Sequence, residues 1–240
     1  GTILDGVQKP GTIGGDSTAQ LIRKARFNDN VKAVVLRVDS PGGSAFASEQ
    51  ISQEVLALKE ANKPVIVSMG SYAASGGYWI SASADYIYAT PTTLTGSIGI
   101  FGMITTFEDS LASIGVHTDG VGTSEWAGFS VTKGLSPQIE AVIQRHIERG
   151  YHDFISLVAT ERDMTLEKVD SIAQGRVWTG RKALELGLVD DLGELQDAVT
   201  KAAQMASMEQ YDTEVIEKEL SPQEQFVQEM FASAASYIPA

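Results

Sequence analysis

Hydrophobic residues along this chain follow two spacings in turn, and the alternation sketches the fold. Val31-Lys-Ala-Val-Val-Leu-Arg-Val38 is β-branched and almost unbroken in apolar character, as a strand buried on both faces of a parallel sheet must be. From Ser44 to Asn62 the apolar residues Phe46, Ile51, Val55 and Leu58 recur at helical spacing, and Lys63-Pro64 stops that helix. Val65-Ile-Val-Ser-Met69 is a second buried strand, and Gly70 to Gly77 a glycine-rich turn into a small-residue helix over 78–84. Before them, Asp16 or Ser17 caps a helix reaching Phe27, with Leu21, Ile22 and Ala25 on its apolar face. Further strands are expected at 85–89 and 98–104. Ser136-Pro137 is an N-cap with proline at the first helical position, opening a long helix to about Thr160. Thr179 to Gly187 is a short helix ended by glycine, and a last helix runs from about Glu194 to Met208. Strand, turn and helix in repetition predict an α/β fold with a mostly parallel sheet and flanking helices.

The length of 240 residues suits one such domain. No linker divides residues 1–206, and 207–240 reads as an acidic tail in which Phe226, Val227, Met230 and Phe231 are spaced for a short docking helix. The chain opens at Gly1 without methionine, which leads us to expect a segment upstream, and it has neither a long apolar run nor a signal-peptide pattern. Charge and composition then remove several function classes. With 18 Lys and Arg against 31 Asp and Glu, the net charge of −13 disfavours a nucleic-acid partner. The absence of cysteine removes thiolate catalysis and Cys-based metal sites, and no metal or other cofactor is called for.

Two strand-to-helix junctions offer chemistry. Ser40-Pro-Gly-Gly43 and Ala73-Ala-Ser-Gly-Gly77 each end a strand of the sheet, where α/β folds place ligands. The second sets Ser75 on a tight turn, and the N–H of Gly76 with one from Gly42 or Gly43 would supply two donors to an oxyanion. The competing reading is that both turns merely allow close packing. Neither loop is a Walker A, a G-x-G-x-x-G or a G-x-S-x-G motif. A serine nucleophile needs a base. His117, His146 and His152 are the only histidines and read as surface residues. The alternative is a lysine made neutral by burial, and none of the ten lysines stands out as one.

Taken jointly, Val31 to Gly43, Ser68-Met-Gly-Ser-Tyr-Ala-Ala-Ser-Gly-Gly-Tyr-Trp79 and Leu94-Thr-Gly-Ser-Ile-Gly-Ile-Phe-Gly102 closely resemble the signal peptide peptidase A (protease IV) family, the S49 serine peptidases, over nearly the whole chain to about Ala206. The resemblance implies a ClpP/crotonase-like fold and hydrolysis of remnant signal peptides by a Ser/Lys dyad. It further implies an oligomeric, membrane-anchored assembly, tetrameric in long relatives, on the bacterial inner membrane and facing the periplasm. By position, Ser75 matches the nucleophile, the Ser-Pro-Gly-Gly turn part of the oxyanion hole, and Ser97 the serine that holds the lysine. Where the family carries that lysine, this chain has Glu125, and Lys133 comes several residues too late. Long family members are tandem duplications whose N-terminal half gives the lysine and whose C-terminal half gives the serine. This chain resembles the C-terminal half, starting past the usual leading strand, so the expectation is half of each dyad and little activity alone. Two other readings remain: a crotonase-like acyl-CoA hydrolase or isomerase, and a non-catalytic scaffold half. Trp126, Phe129 and Trp178 are candidate contacts between subunits or buried core.

Overall fold

The computed structural model describes residues 1–9, 11–124 and 130–217. Its elements in chain order are β1 (Ile3–Leu4), β2 (Ile13–Gly14), α1 (Gly15–Phe27), β3 (Val34–Ser40), α2 (Ala45–Glu60), β4 (Val65–Ala74), α3 (Gly76–Ala82) and β5 (Tyr86–Ala89). These are followed by β6 (Leu94–Gly96), α4 (Glu108–Ser113), α5 (Pro137–Glu161), α6 (Leu166–Ile172), β7 (Val177–Thr179), α7 (Gly180–Leu186), β8 (Asp191–Leu192) and α8 (Leu195–Met205).

The centre is β4. It pairs in parallel with β3 on one side; on the other, its first part pairs with β5 and its last part with β6. The sheet continues from β5 to β8 in parallel and from β6 to β7 antiparallel. Helices cover both faces of this part of β4, which is why Val65 to Met69 is fully buried. Between Val38↔Met69 and Ser40↔Ala73 the register shifts, so that Gly70, Ser71 and Tyr72 bulge, and Ser71 and Tyr72 are exposed.

The helices close the two faces. On the inner face α2 contributes Ile51, Val55 and Leu58, α3 contributes Tyr78, and α5 brings Phe154 against Trp79 with ring centroids 4.5 Å apart. Each such buried side chain contributes roughly 1.5–3 kcal/mol. On the outer face Ala198 and Ala202 of α8 rest on Ile66, Val35, Tyr86 and Tyr88. Tyr78 is fully buried and its hydroxyl donates to the Leu188 carbonyl at 2.8 Å. Burial pushes the Tyr78 hydroxyl far above the ordinary tyrosine range. Tyr78→Phe would leave that carbonyl without its partner, and we expect a loss of about 1–2 kcal/mol in urea unfolding with no change in fold.

The helix expected to run to about Asn62 ends at Glu60, and the stop at Gly187 and the Ser136 cap are present; Ser136 accepts from Ile139 N at 3.4 Å and Gly187 adopts φ 79°. Four expectations are corrected. The first helix starts at Gly15, and its N-cap, Gly14, has no side chain to cap with; of the expected caps, Asp16 Oδ1 accepts from Gln50 Nε2 and Ser17 Oγ donates to Gly14 O, while a Cβ on Gly15 would lie 2.9 Å from the Ala47 Cβ of α2. The first strand starts at Val34 rather than 31. The second strand runs through the expected turn as far as Ala74, because β6 gives its last residues a partner. Finally, 98–104 is not a strand. Ser97 turns the chain out of the sheet with φ 49°, Ile98 O accepts from Gly175 N at 2.9 Å, and Phe101 and Met103 lie exposed. After α8, residues 206–217 carry no helix or strand, and the docking helix expected around Phe226 to Phe231 lies outside the described residues.

Candidate active site

Ser40 and Ala73 are register partners, so the loops following β3 and β4 leave the sheet side by side at the same end. Glycine lets them touch. Gly42 adopts φ 107°, and a Cβ on it would lie 2.7 Å from the Ser75 Cβ and 2.8 Å from Gly76 N. Gly43, at φ 152°, is bridged to Ile3: Ile3 N donates to Gly42 O at 2.9 Å, and Ser44 N donates to Ile3 O at 2.8 Å. A Cβ on Gly43 would collide with the Ile3 carbonyl, so β1 forms a third wall.

Of the three expected oxyanion donors, Gly42 is already committed, since its N–H is given to Ser40 Oγ at 3.1 Å. Gly43 N and Gly76 N have no acceptor among the described residues. They adjoin, because Gly43 N lies 3.3 Å from where a Cβ on Gly76 would be. Behind Gly76 stands the buried Ser48, whose Oγ would also clash with that Cβ. In the sequence Ser40 was named only as the first residue of its turn, with no role of its own, and Ser48 was not named. A buried serine just before Pro-Gly-Gly, ready to accept a turn N–H, was the signal for the first; nothing local marked the second.

Ser75 has φ 52° and ψ −120°, a conformation that costs an L-residue about 1–3 kcal/mol. It is held there from both sides. Its N–H donates to Gly96 O at 2.9 Å, and its carbonyl accepts from Tyr78 N and Trp79 N, each at 2.9 Å. Ser97, the residue after β6, is also strained, with φ 49° and its N–H on Arg176 O at 2.7 Å. Ala74 and Gly96 are register partners, so Ser75 and Ser97 are the next residues on neighbouring parallel strands, whose spacing is about 4.8 Å. Thr95 Oγ1 donates to Ala73 O at 2.7 Å and fixes that register. Both serines are half-buried, and neither hydroxyl makes a hydrogen bond among the described residues. The structure thus brings together Ser75, Gly76, Gly42, Gly43 and Ser97.

It brings no described base to them. His117, His146 and His152 are all exposed, the last with Nδ1 3.4 Å from Ser156 Oγ. Lys59 serves Ser83 O and Glu161, and Lys63 serves the carbonyls of Ala25, Arg26 and Asn28. Lys133 lies beside Gly120, 3.4 Å from the position of a Cβ there. Glu125 lies outside the described residues, with Trp126 and Phe129. Trp178 is half-buried with its indole N–H on Ile172 O at 3.0 Å, packed on the core.

This architecture has known counterparts. A ClpP1 variant from Listeria monocytogenes superposes with a TM-score of 0.53 over 82% of this chain and 92% of its own, at 15% identity, which establishes a ClpP-like fold. In sequence, the chain is 54% identical over its whole length to "Protease 4" of Salmonella typhi, and it is 34% identical to "Putative protease slr0021" of Synechocystis over 85% of this chain and 74% of that protein. It spans only 39% of the Salmonella protein and 35% of Protease 4 from Haemophilus influenzae. The model for peptidase family S49 matches residues 57–209, a stretch that holds both strained serines and both strands carrying them. The chain therefore belongs to peptidase family S49, in its signal peptide peptidase A (protease IV) branch.

Proposed function

We propose that this chain is the serine-bearing part of a Ser/Lys peptidase that cleaves signal peptides and other membrane-associated peptides. The observation that carries the reading is the pair of unbonded hydroxyls, Ser75 and Ser97, on adjacent strand ends beside the unpaired N–H groups of Gly43 and Gly76. Ser75 Oγ attacks the scissile carbonyl carbon while its proton passes to a neutral lysine amine. The carbonyl oxygen, now an anion, is held by the N–H groups of Gly43 and Gly76. The lysine returns the proton to the leaving amine, and water then hydrolyses the acyl-serine by the same route in reverse. Ser97 Oγ accepts from the lysine amine and holds it in line.

The lysine comes from outside this chain, from a homologous half of the longer protein. Glu125 in its place cannot substitute, because a carboxylate is a far weaker base than a neutral amine and becomes uncharged on taking the serine proton, whereas the amine becomes an ammonium that stabilises the oxyanion. The relatives named Protease 4 are long enough to hold such a half, since this chain spans 39% of one of them. Substrates enter as extended strands paired to the edge of the site. The working enzyme is a homo-oligomer at the bacterial inner membrane with its site facing the periplasm, and its anchor is not among the described helices, none of which is long and apolar enough to cross a membrane.

The test is labelling with a fluorophosphonate probe, with Ser75→Ala as control, on this chain alone and together with the lysine-bearing half. The expected result is weak labelling and little peptide turnover alone, and a rise of about 10²-fold or more when the lysine is supplied. Robust Ser75-dependent turnover by the chain alone would remove the donated lysine. Absence of labelling in both states, with retention on a coenzyme A matrix, would point instead to a crotonase-like acyl-CoA enzyme.

A further inference from the structure

The sheet's outer face is only partly covered. Helix α8 rests on Val35 and Ile66, but the same face of β3 continues through Arg37 and Asp39, both exposed. There the bulge of β4 opens a cleft of about 280 Å3 lined by Arg37, Gly70, Ser71, Tyr72, Thr92 and Leu94 among others. It is separate from the Ser75 loops, about 10 Å back along β4 at roughly 3.3 Å per residue from Tyr72.

Arg37 is fixed in this cleft. Nη1 donates to Ser68 Oγ at 2.7 Å and to Met69 O at 3.3 Å, and Ser68 is fully buried. Those two bonds occupy both Nη1 protons, which leaves the Nε–H and Nη2–H edge of the guanidinium without a partner among the described residues. That edge is the one that pairs with two oxygens of a planar anion. The Ser71 hydroxyl is also unbonded and exposed. In a chain of net charge −13, an arginine pinned from behind and open in front, with no carboxylate paired to it, is a receptor for an anion brought from outside.

The kind of anion follows from its neighbours. Asp39 lies on the same face two residues on, with its Oδ1 accepting from Tyr72 N at 3.0 Å. A fixed negative charge there repels phosphate, which carries nearly two charges, about twice as strongly as it repels a singly charged carboxylate. Tyr72 and Leu94 add an apolar wall. We propose that this cleft is a carboxylate-binding subsite that holds the C-terminal carboxylate or an acidic side chain of a bound peptide, with Arg37 as its bidentate anchor. The peptide as the carrier rests on the peptidase reading; the carboxylate does not.

The experiment uses the chain with Ser75→Ala, so that binding is read without turnover, and titrates N-acetyl-Leu-Ala-Leu as the free acid, as the amide, and as N-acetyl-Leu-Ala-Glu-amide by calorimetry. The free acid should bind about tenfold more tightly than the Leu amide, the order expected for one charge-assisted pair. Arg37→Gln should remove the difference, and Arg37→Lys should restore only part of it. Binding of the Glu-amide with the same Arg37 dependence identifies the side chain as a second source; its failure to bind assigns the site to chain ends. Equal affinity of acid and amide overturns the proposal, and that contrast needs no substitution at Arg37. Acetate competing with the acid while Ser75 fails to label even with the lysine-bearing half present would keep the subsite and remove the peptidase reading.

Discussion

Ser75→Gly should abolish covalent labelling of the chain and at the same time make it more stable. Serine holds φ 52° and ψ −120° at this position, where glycine pays almost nothing. The hydrogen bonds that enforce the conformation all come from the backbone, Ser75 N to Gly96 O and Tyr78 N and Trp79 N to Ser75 O, so glycine retains them. The hydroxyl that is lost bonds to nothing among the described residues. Relief of strain is therefore the main term, and a gain of about 1–2 kcal/mol in urea unfolding is expected. Ser75→Ala keeps the strain and should unfold close to the parent. A stability order in which alanine exceeds glycine would show that the turn is not strained, and would remove the physical reason for reading Ser75 as a nucleophile set out on an elbow.

Gly43→Ala should have the opposite effect on folding and the same effect on chemistry. The methyl would collide with the Ile3 carbonyl, and φ 152° is a backbone state that side chains rarely adopt. Neither problem has a local escape, because Ile3 N and Ser44 N tie both flanks of the loop to β1. Relaxation must either break the bridge to Ile3, whose side chain is fully buried, or swing the Gly43 N–H away from Gly76. We expect a loss of about 3 kcal/mol or more, read as a fall in the denaturation midpoint, together with loss of labelling. Gly6→Ala, at φ 74° but with nothing within 4 Å of the added carbon, controls for backbone strain alone and should cost about 1 kcal/mol with labelling kept.

The parts of this architecture legible in sequence are those set by local patterns. The buried strand around Val67 announces itself by its apolar run, and Ser136-Pro137 and Gly187 by cap chemistry, whereas β3, expected to be buried on both faces, is half-buried over 34–36 with Arg37 and Asp39 exposed because helix cover on its outer face is partial. The glycines at 42, 43 and 76 were readable because a close approach of loops admits little else. What was hidden depends on partners far along the chain. Strand β6 is only Leu94 to Gly96, too short for periodicity, and exists because Ala73 and Trp178 flank it. The apolar stretch Ile98 to Ile104 looks like a strand but has a single bond, Gly175 N to Ile98 O, and no strand partner among the described residues, so pairing rather than composition decides it. The same holds at the site. The serine was visible, but the commitment of the Gly42 N–H to Ser40 rests on the direction in which a hydroxyl turns.

The order in which the sheet can be assembled follows from β4 having only near neighbours in sequence, whereas the strands outside β5 and β6 come from far along the chain. Strands β3, β4 and β5 are contiguous in the chain and can associate early, from short-range loops. Strands β7 and β8, which pair Thr179 with Leu94 and Asp191 with Tyr88, require closure of long loops across α5 and α6. During synthesis, then, the Ser75 turn emerges well before β7 arrives to brace β6, the strand whose Gly96 carbonyl holds it. Until residue 179 has left the ribosome, β6 has β4 alone for a neighbour, and the Gly96 carbonyl that accepts the Ser75 N–H is braced from one side only.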